Sequence, residues 1–306
     1  MSLTLALLGA GALLLYLGAE AAVRGASGLS RALGIPAFAL GALLFGVDVE
    51  GLGATVVAAG RGQTEIAAGG SFGTILFLFS VAFGAALLMA RSPVPSPSPA
   101  MVALPALPVV ACAVAISDRF VSRWEGALLV VIYGAYVVLV ILRGQRADQP
   151  TAAGAADRPG WTGSAVLTGG GLGLVYLGAT LLVAGGGRLV DITALSAGFI
   201  GAAVVGILVS LDEVLLEVLP IRRGEPELAT GNLFGTLAAF TTGVPGVAAL
   251  VRPLVLDGAA AAAFLAVALL YFVVGTAFLA RGTAGRLLGG TVLVIYAAWL
   301  ALTSMA

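Results

Sequence analysis

Five carboxylates sit inside apolar stretches of the chain, Asp48 and Glu50 in one and Asp212, Glu213 and Glu217 in another. A charged side chain at the centre of a bilayer costs about 2.5–3.5 kcal/mol on insertion scales, so such groups face a protein interior or a watery cavity rather than lipid. Carboxylates held there bind cations, protons or both. On a helix Asp212 and Glu213 point about 100° apart, whereas Glu213 and Glu217, at i and i+4, share a face. Asp48 and Glu50 would point about 200° apart on a regular helix. They converge only if the backbone unwinds there, which Gly46, Gly51 and Gly53 permit. An unwound turn also frees carbonyl oxygens, natural ligands for hard cations.

The apolar stretch that follows each acidic cluster supplies neutral oxygen, Ser71 and Thr74 in one case and Asn232 and Thr236 in the other. Neighbouring glycines (Gly69, Gly70 and Gly73; Gly231 and Gly235) let helices approach closely. The combined set is one of hard oxygens, suited to Na+, Ca2+ or H+ and not to soft metals. Asp48, Glu50, Asp212 and Glu213 are its metal-ligating carboxylates, with Glu217 and Ser71 as additional ligands. Other roles stay open. The central carboxylates could pair with arginines of neighbouring helices, although no arginine falls in the interior of a predicted span, Arg286 standing only at the first position of 286–304. Glu217 lies near the end of its stretch and could pair with Arg222. Glu65 and Glu227, beside Arg61 and Arg223, suit helix capping or ion pairing better than cation binding, and Glu20 is expected at the membrane interface.

The elements that carry these residues are membrane helices. Of 306 residues 60% are hydrophobic and 10% charged, against about 25% charged in a soluble globule. Apolar runs of about 20 residues recur along the whole chain, long enough to cross a hydrocarbon layer as helices. Ten spans are predicted, at 3–23, 35–60, 66–90, 100–117, 124–142, 164–184, 196–221, 228–251, 259–280 and 286–304. Pro105 and Pro108 predict a kinked or tilted fourth span. Residues 91–99, RSPVPSPSP, read as an extended loop, and residues 143–162 as a polar linker. The first apolar run lacks a basic leader and is taken as a retained span. Ten of the fifteen arginines fall in the loops after odd-numbered spans, which predicts both termini outside and the linker in the cytoplasm of an inner or plasma membrane.

Composition also excludes chemistry. The chain has no His and no Lys, so zinc sites, imidazole triads and an intramembrane lysine base are absent, and an enzyme is not expected. Cys112 is the only cysteine and reads as a structural thiol. Net charge is zero with no basic patch, so no nucleic-acid partner is expected; the partners are inorganic cations and the lipid bilayer. GGGLGL at 169–174 lies inside an apolar span and is not a nucleotide fingerprint. No cofactor is expected beyond transported cations such as Ca2+, Na+ or H+.

An internal repeat organises the spans. RGQTEIAAGGSFGT at 61–74 matches RGEPELATGNLFGT at 223–236 at an offset of 162, and YLGAE at 16–20 matches YLGAT at 176–180 at an offset of 160. The halves are 1–142 and 163–306, each with five predicted spans. An odd number makes the second copy enter the membrane from the opposite side. Inverted repeats of this kind provide two near-equivalent packings, one open to each face, with a site where the halves meet. The sequence therefore predicts an all-α membrane protein of ten transmembrane helices in two inverted five-helix repeats.

This layout resembles the calcium/cation antiporter superfamily, the sodium/calcium exchanger-like membrane proteins, over nearly the whole chain. In that family the first helix of each α-repeat reads roughly G-T-S-x-P-E and the second begins G-N-x-x-G-S. The corresponding regions here are 46–75 and 208–237. Counting back from GNLFGT, the resemblance puts the family's Ser on Ser210, its Glu on Glu213, its Asn on Asn232 and its hydroxyl residue on Thr236. In the first half the same count puts the Ser at Asp48, the Pro at Glu50, the Glu at Gly51 and the Asn at Gly70, and keeps a hydroxyl at Thr74. Both kink prolines are missing and one central glutamate is displaced by one residue. The resemblance implies secondary active antiport, with Ca2+ or another cation exchanged for Na+ or H+ by alternating access. The altered ligand set leaves two alternatives, a cation/proton exchanger of changed selectivity and a degenerate, non-transporting scaffold.

Overall fold

A computed structural model describes residues 2–46, 48–147, 161–193 and 210–304. Among them lie fourteen α-helices, three short π-helical segments and four two-residue strands. The helices are α1 (Ser2–Leu33), α2 (Ala37–Leu40), α3 (Val49–Gly60), α4 (Thr64–Phe77), α5 (Phe83–Met89), α6 (Pro99–Ala103), α7 (Ala106–Ala115) and α8 (Arg123–Ala147). They continue with α9 (Trp161–Thr193), α10 (Leu211–Arg223), α11 (Pro226–Ala238), α12 (Val244–Val251), α13 (Gly258–Arg281) and α14 (Arg286–Ser304). The π segments prolong α2 (Gly41–Phe45) and join α4 to α5 (Leu78–Ala82) and α11 to α12 (Ala239–Gly243). Among the described residues six helices are long and apolar enough to cross a membrane.

The other predicted spans are interrupted or shorter for identifiable reasons. The 35–60 stretch bends at Gly46 and restarts at Val49, and the 100–117 stretch breaks at Leu104 and Pro105. Of 196–221 only the part from Ser210 is described, and residues 148–160 of the linker lie outside the described residues. The first helix runs ten residues past its predicted end, to Leu33, because Gly25 and Gly28 pack against Thr168 and Ser164 of α9 and Ala26 and Ser27 are buried rather than released to water.

The arginine–glycine pair that opens the 61–74 repeat is a turn signal. Gly62 and Gly224 both adopt positive φ, 84° and 78°, reversing the chain between α3 and α4 and between α10 and α11. Only glycine takes that conformation without strain. Next come helices carrying Glu65 and Glu227 in their first turns, where a carboxylate suits the positive end of the helix dipole.

Packing between helices runs through glycine. A Cβ on Gly11 would stand 2.9 Å from the Gly178 carbonyl oxygen, and one on Gly18 would stand 2.7 Å from that of Gly171. As the α1 number rises the α9 number falls, so these two helices are antiparallel at close range. Two further glycine crossings tie Gly84 of α5 to Gly289 of α14, and Gly126 of α8 to Gly246 of α12. Strand Val94–Pro95 pairs with Thr283–Ala284, and Phe120–Val121 with Leu254–Val255, so each short ladder joins an early segment to a late one. At the centre Phe234 is ringed by Phe38, Phe79, Tyr271 and Phe278 at centroid distances of 6.2–6.3 Å. Tyr136 donates its hydroxyl to the Phe234 carbonyl at 3.1 Å, so this buried phenol is satisfied.

Candidate cation site

Two helix starts meet at the site, and local sequence explains both. Asp48 precedes α3, and its Oδ2 accepts the Gly51 amide proton at 2.9 Å while its carbonyl accepts that of Leu52 at 3.0 Å. That is N-capping: the carboxylate satisfies an amide that the new helix leaves unpaired. The unwinding expected from Gly46 thus occurs, and Asp48 is the residue that stops it. Gly51 has no room for a side chain, since a Cβ there would run into the Asp48 carboxylate and stand 2.9 Å from the Phe240 ring. The first-half acid therefore comes from the unwound turn and not from the helix position to which the resemblance assigned it. In the second half Ser210 holds the cap position of α10 without a side-chain capping bond, and Asp212 and Glu213 occupy the first turn.

Close backbone approach brings the second layer of the site in. Gly231 and Gly235 of α11 leave no room for a Cβ against the backbone of Phe38 and Ala42, and Gly41 leaves none against Leu228. This contact holds α2 and its π-helical extension against α11, the helix that carries Asn232. Asn232 donates Nδ2–H to Glu217 Oε1 at 2.9 Å, and Thr236 donates its hydroxyl to Asn232 Oδ1 at 3.4 Å. Glu217 is fully buried, and its Oε2 has no hydrogen-bond partner among the described residues.

The result is a cavity of about 150 Å³ lined by Asp48, Asp212, Glu213, Asn232 and Thr236, with Leu44, Phe45, Leu78, Leu172, Val175, Tyr176 and Leu216 completing its wall. Glu213 lies within electrostatic reach of Asp212, Asp48 and Glu217. No arginine lines the cavity among the described residues. Such an enclosure of carboxylate, amide and hydroxyl oxygens suits a hard cation about which a few waters remain.

The other predicted residues fall in different places. Ser210, next to Asp212, and Thr74 are half-buried and do not line the cavity, and Ser71 is buried with its hydroxyl donated to the Ala67 carbonyl at 3.0 Å. The side chain of Glu50 lies outside the described part of the chain. Among the described residues no three acidic side chains gather closely enough to hold a metal ion by themselves. Glu217 bonds to Asn232 rather than to Arg222, which is exposed, because the turn of α10 that carries it is buried against α11. Arg223 instead reaches Glu20, which also pairs with Arg24, while Arg31 meets Glu225 at 3.7 Å. The α9 wall residues Leu172, Val175 and Tyr176 were missed, and their one signal was the repeated YLGA segment.

Comparison with known proteins gives the family and the fold. The family model described as sodium/calcium exchanger protein matches residues 3–142 and 163–305. A protein of Alkalimonas amylolytica named "Putative antiporter CaxA" is 28% identical over 265 residues, 82% of each chain. Solved structures of the sodium-calcium exchanger NCX_Mj share the fold. One soaked with 10 mM Na+ and zero Ca2+ superposes at a TM-score of 0.85 with 21% identity over 98% of each chain. Another, soaked with 2.5 mM Na+ and 0.1 mM Ca2+, gives 0.85 with 22% identity and the same coverage. The chain belongs to the sodium/calcium exchanger protein family and is an integral membrane cation antiporter, not an enzyme.

Proposed function

We propose that the protein is a secondary active antiporter that exchanges Ca2+, or another hard cation, for Na+ or H+ by alternating access at the Asp48–Asp212–Glu213 cavity. The observation that carries this reading is the shared cavity itself. Asp48 comes from the first half of the chain, Asp212, Glu213, Asn232 and Thr236 from the second, and no arginine stands among the lining residues. Carboxylates gathered inside a membrane helix bundle are tolerable when a cation or proton occupies the space between them. Asp48, Asp212 and Glu213 then supply charge, Asn232 and Thr236 neutral oxygen, with Glu50, Ser210 and Thr74 as outer members of the set.

Inverted repeats supply the motion. At offsets of 160–163 the contact of Gly11 with Gly178 becomes that of Gly171 with Gly18, and the crossing of Gly84 with Gly289 becomes that of Gly246 with Gly126. The two strand pairs exchange in the same way. Reciprocal contacts of this kind mark a two-fold axis. Because α1 and α9 are antiparallel, that axis crosses them at right angles and lies in the membrane plane, as the ten-span inverted arrangement requires. Exchange of the two half-packings opens the cavity to one face and then the other.

Calorimetry on purified protein with Na+, Ca2+, Mg2+ and Mn2+, followed by 45Ca2+ uptake into proteoliposomes under outward Na+ or H+ gradients, tests the proposal. Saturable binding of at least one cation and uptake that collapses with the gradient are expected. Uptake that ignores both gradients would contradict antiport. The cation/proton version, favoured by Asp48, Asp212 and Glu217 standing within electrostatic reach of Glu213, predicts that the H+ gradient alone suffices.

A further inference from the structure

Glu217 stands apart from the cavity wall, yet it is fully buried and hydrogen-bonds to a residue that belongs to that wall. An asparagine amide has two chemically opposite ends, one that donates and one that accepts. A cation is attracted to the oxygen and repelled by the NH2. Which end Asn232 turns to the cavity therefore decides whether it serves as a ligand or as an obstacle.

The orientation is set from outside the cavity. Asn232 turns its NH2 to Glu217 Oε1 at 2.9 Å, and that carboxyl oxygen accepts from it. Oδ1 is then left on the side of Thr236, another cavity residue, whose hydroxyl approaches it at 3.4 Å. Asn232 lies on α11 between Gly231 and Gly235, which pack against the backbone of Phe38 and Ala42.

We infer that Glu217 is a positioning residue for cation binding: it anchors the Asn232 amide so that its oxygen, and not its NH2, faces the cation. The inference rests on the cavity being the transport site. It excludes Glu217 as a direct ligand and assigns the selectivity of position 232 for hard, oxygen-seeking cations to a pair of side chains on crossing helices.

A swap of the two functional groups tests the pair. Glu217→Gln, Asn232→Asp and the double variant Glu217→Gln/Asn232→Asp are compared in proteoliposomes for 45Ca2+ half-saturation and maximal rate, with Tm measured on each purified protein. Glu217→Gln keeps one carbonyl oxygen but adds an NH2 that competes for the Asn232 oxygen, so the amide is free to turn, and half-saturation is expected to rise by about tenfold or more, the scale found when partners of metal ligands are removed, with a smaller change in maximal rate. In Asn232→Asp two carboxylates face each other, and affinity falls as well. In the double variant the introduced glutamine donates from its NH2 to one oxygen of the introduced carboxylate, and the other oxygen faces the cavity. Half-saturation then returns to within about threefold of the starting protein. If Glu217→Gln fails to fold, the double variant against Asn232→Asp alone carries the same comparison. Unchanged half-saturation in Glu217→Gln, or a double variant no better than its single parents, overturns the inference. A parallel Glu213→Gln arm separates the claims: full transport there sinks the site, whereas lost transport with an indifferent Glu217→Gln sinks only the positioning role.

Discussion

Asp48 has two duties that a substitution can separate. Its carboxylate caps α3 through the Gly51 amide, and it gives the cavity a negative charge from the first half of the chain. Asparagine caps a helix as well as aspartate does. Asp48→Asn is therefore expected to leave Tm within about 2 °C, since loss of a cap is worth only about 1 kcal/mol and this one is retained. Cation uptake should fall by about tenfold or more, as each tenfold requires about 1.4 kcal/mol of lost attraction. Asp48→Ala should lose both. Equal destabilisation by the two variants would mean that the charge, not the cap, holds the turn. A break near this residue was legible from Gly46, but it falls before Asp48, and Gly51 and Gly53, expected to unwind with it, lie inside α3. The bond between Glu217 and Asn232 was not legible. It joins side chains 15 residues apart across two helices whose crossing depends on glycine contacts that no local pattern specifies.

Among elements, the antiparallel pair α1 and α9 is the most sensitive to side-chain size. Gly18 and Gly171 face each other backbone to backbone, whereas Gly170 has nothing near its missing Cβ. Without a hydrophobic drive between helices in lipid, such close contact is what holds a helix pair together. Gly171→Leu is expected to abolish the monodisperse peak of the purified protein in size-exclusion chromatography. Gly170→Ala should leave it intact and raise Tm slightly, alanine being favoured over glycine in a helix by about 1 kcal/mol. A well-behaved Gly171→Leu protein would refute the packing. Element order and most helix ends were readable from hydropathy, since the lipid solvent forces backbone pairing into helices. The breaks at Leu104 and Pro105 followed from proline. The π segments at Gly41–Phe45, Leu78–Ala82 and Ala239–Gly243 did not, because one extra residue per turn leaves no compositional mark.

For the whole molecule, the paired strands fix which loops share a face. Val94–Pro95 pairs with Thr283–Ala284 and Phe120–Val121 with Leu254–Val255, and the proposed inverted arrangement puts the two ladders at opposite ends. Cysteines introduced at Ser96 and Thr283 are expected to react with an impermeant maleimide from one side of sealed vesicles, and those at Asp118 and Asp257 from the opposite side. The native Cys112 is buried and should stay silent. Labelling of all four from a single side would rule out the inverted topology. The repeat itself is visible in the sequence through its RG turns and YLGA segments. It does not give the make-up of the cavity, where Asp48 comes from the first half and Asp212, Glu213, Asn232 and Thr236 from the second.

The central claim is that the cavity between the halves carries the cation, and Glu213, in the first turn of α10 and within reach of three other acids, is its focus. Gradient-driven 45Ca2+ exchange in proteoliposomes, measured side by side for the native protein and Glu213→Gln at equal protein content and unchanged Tm, tests it most directly. The expected result is robust countertransport in the former and a loss of about a hundredfold or more in the latter. Undiminished exchange in Glu213→Gln would contradict the account.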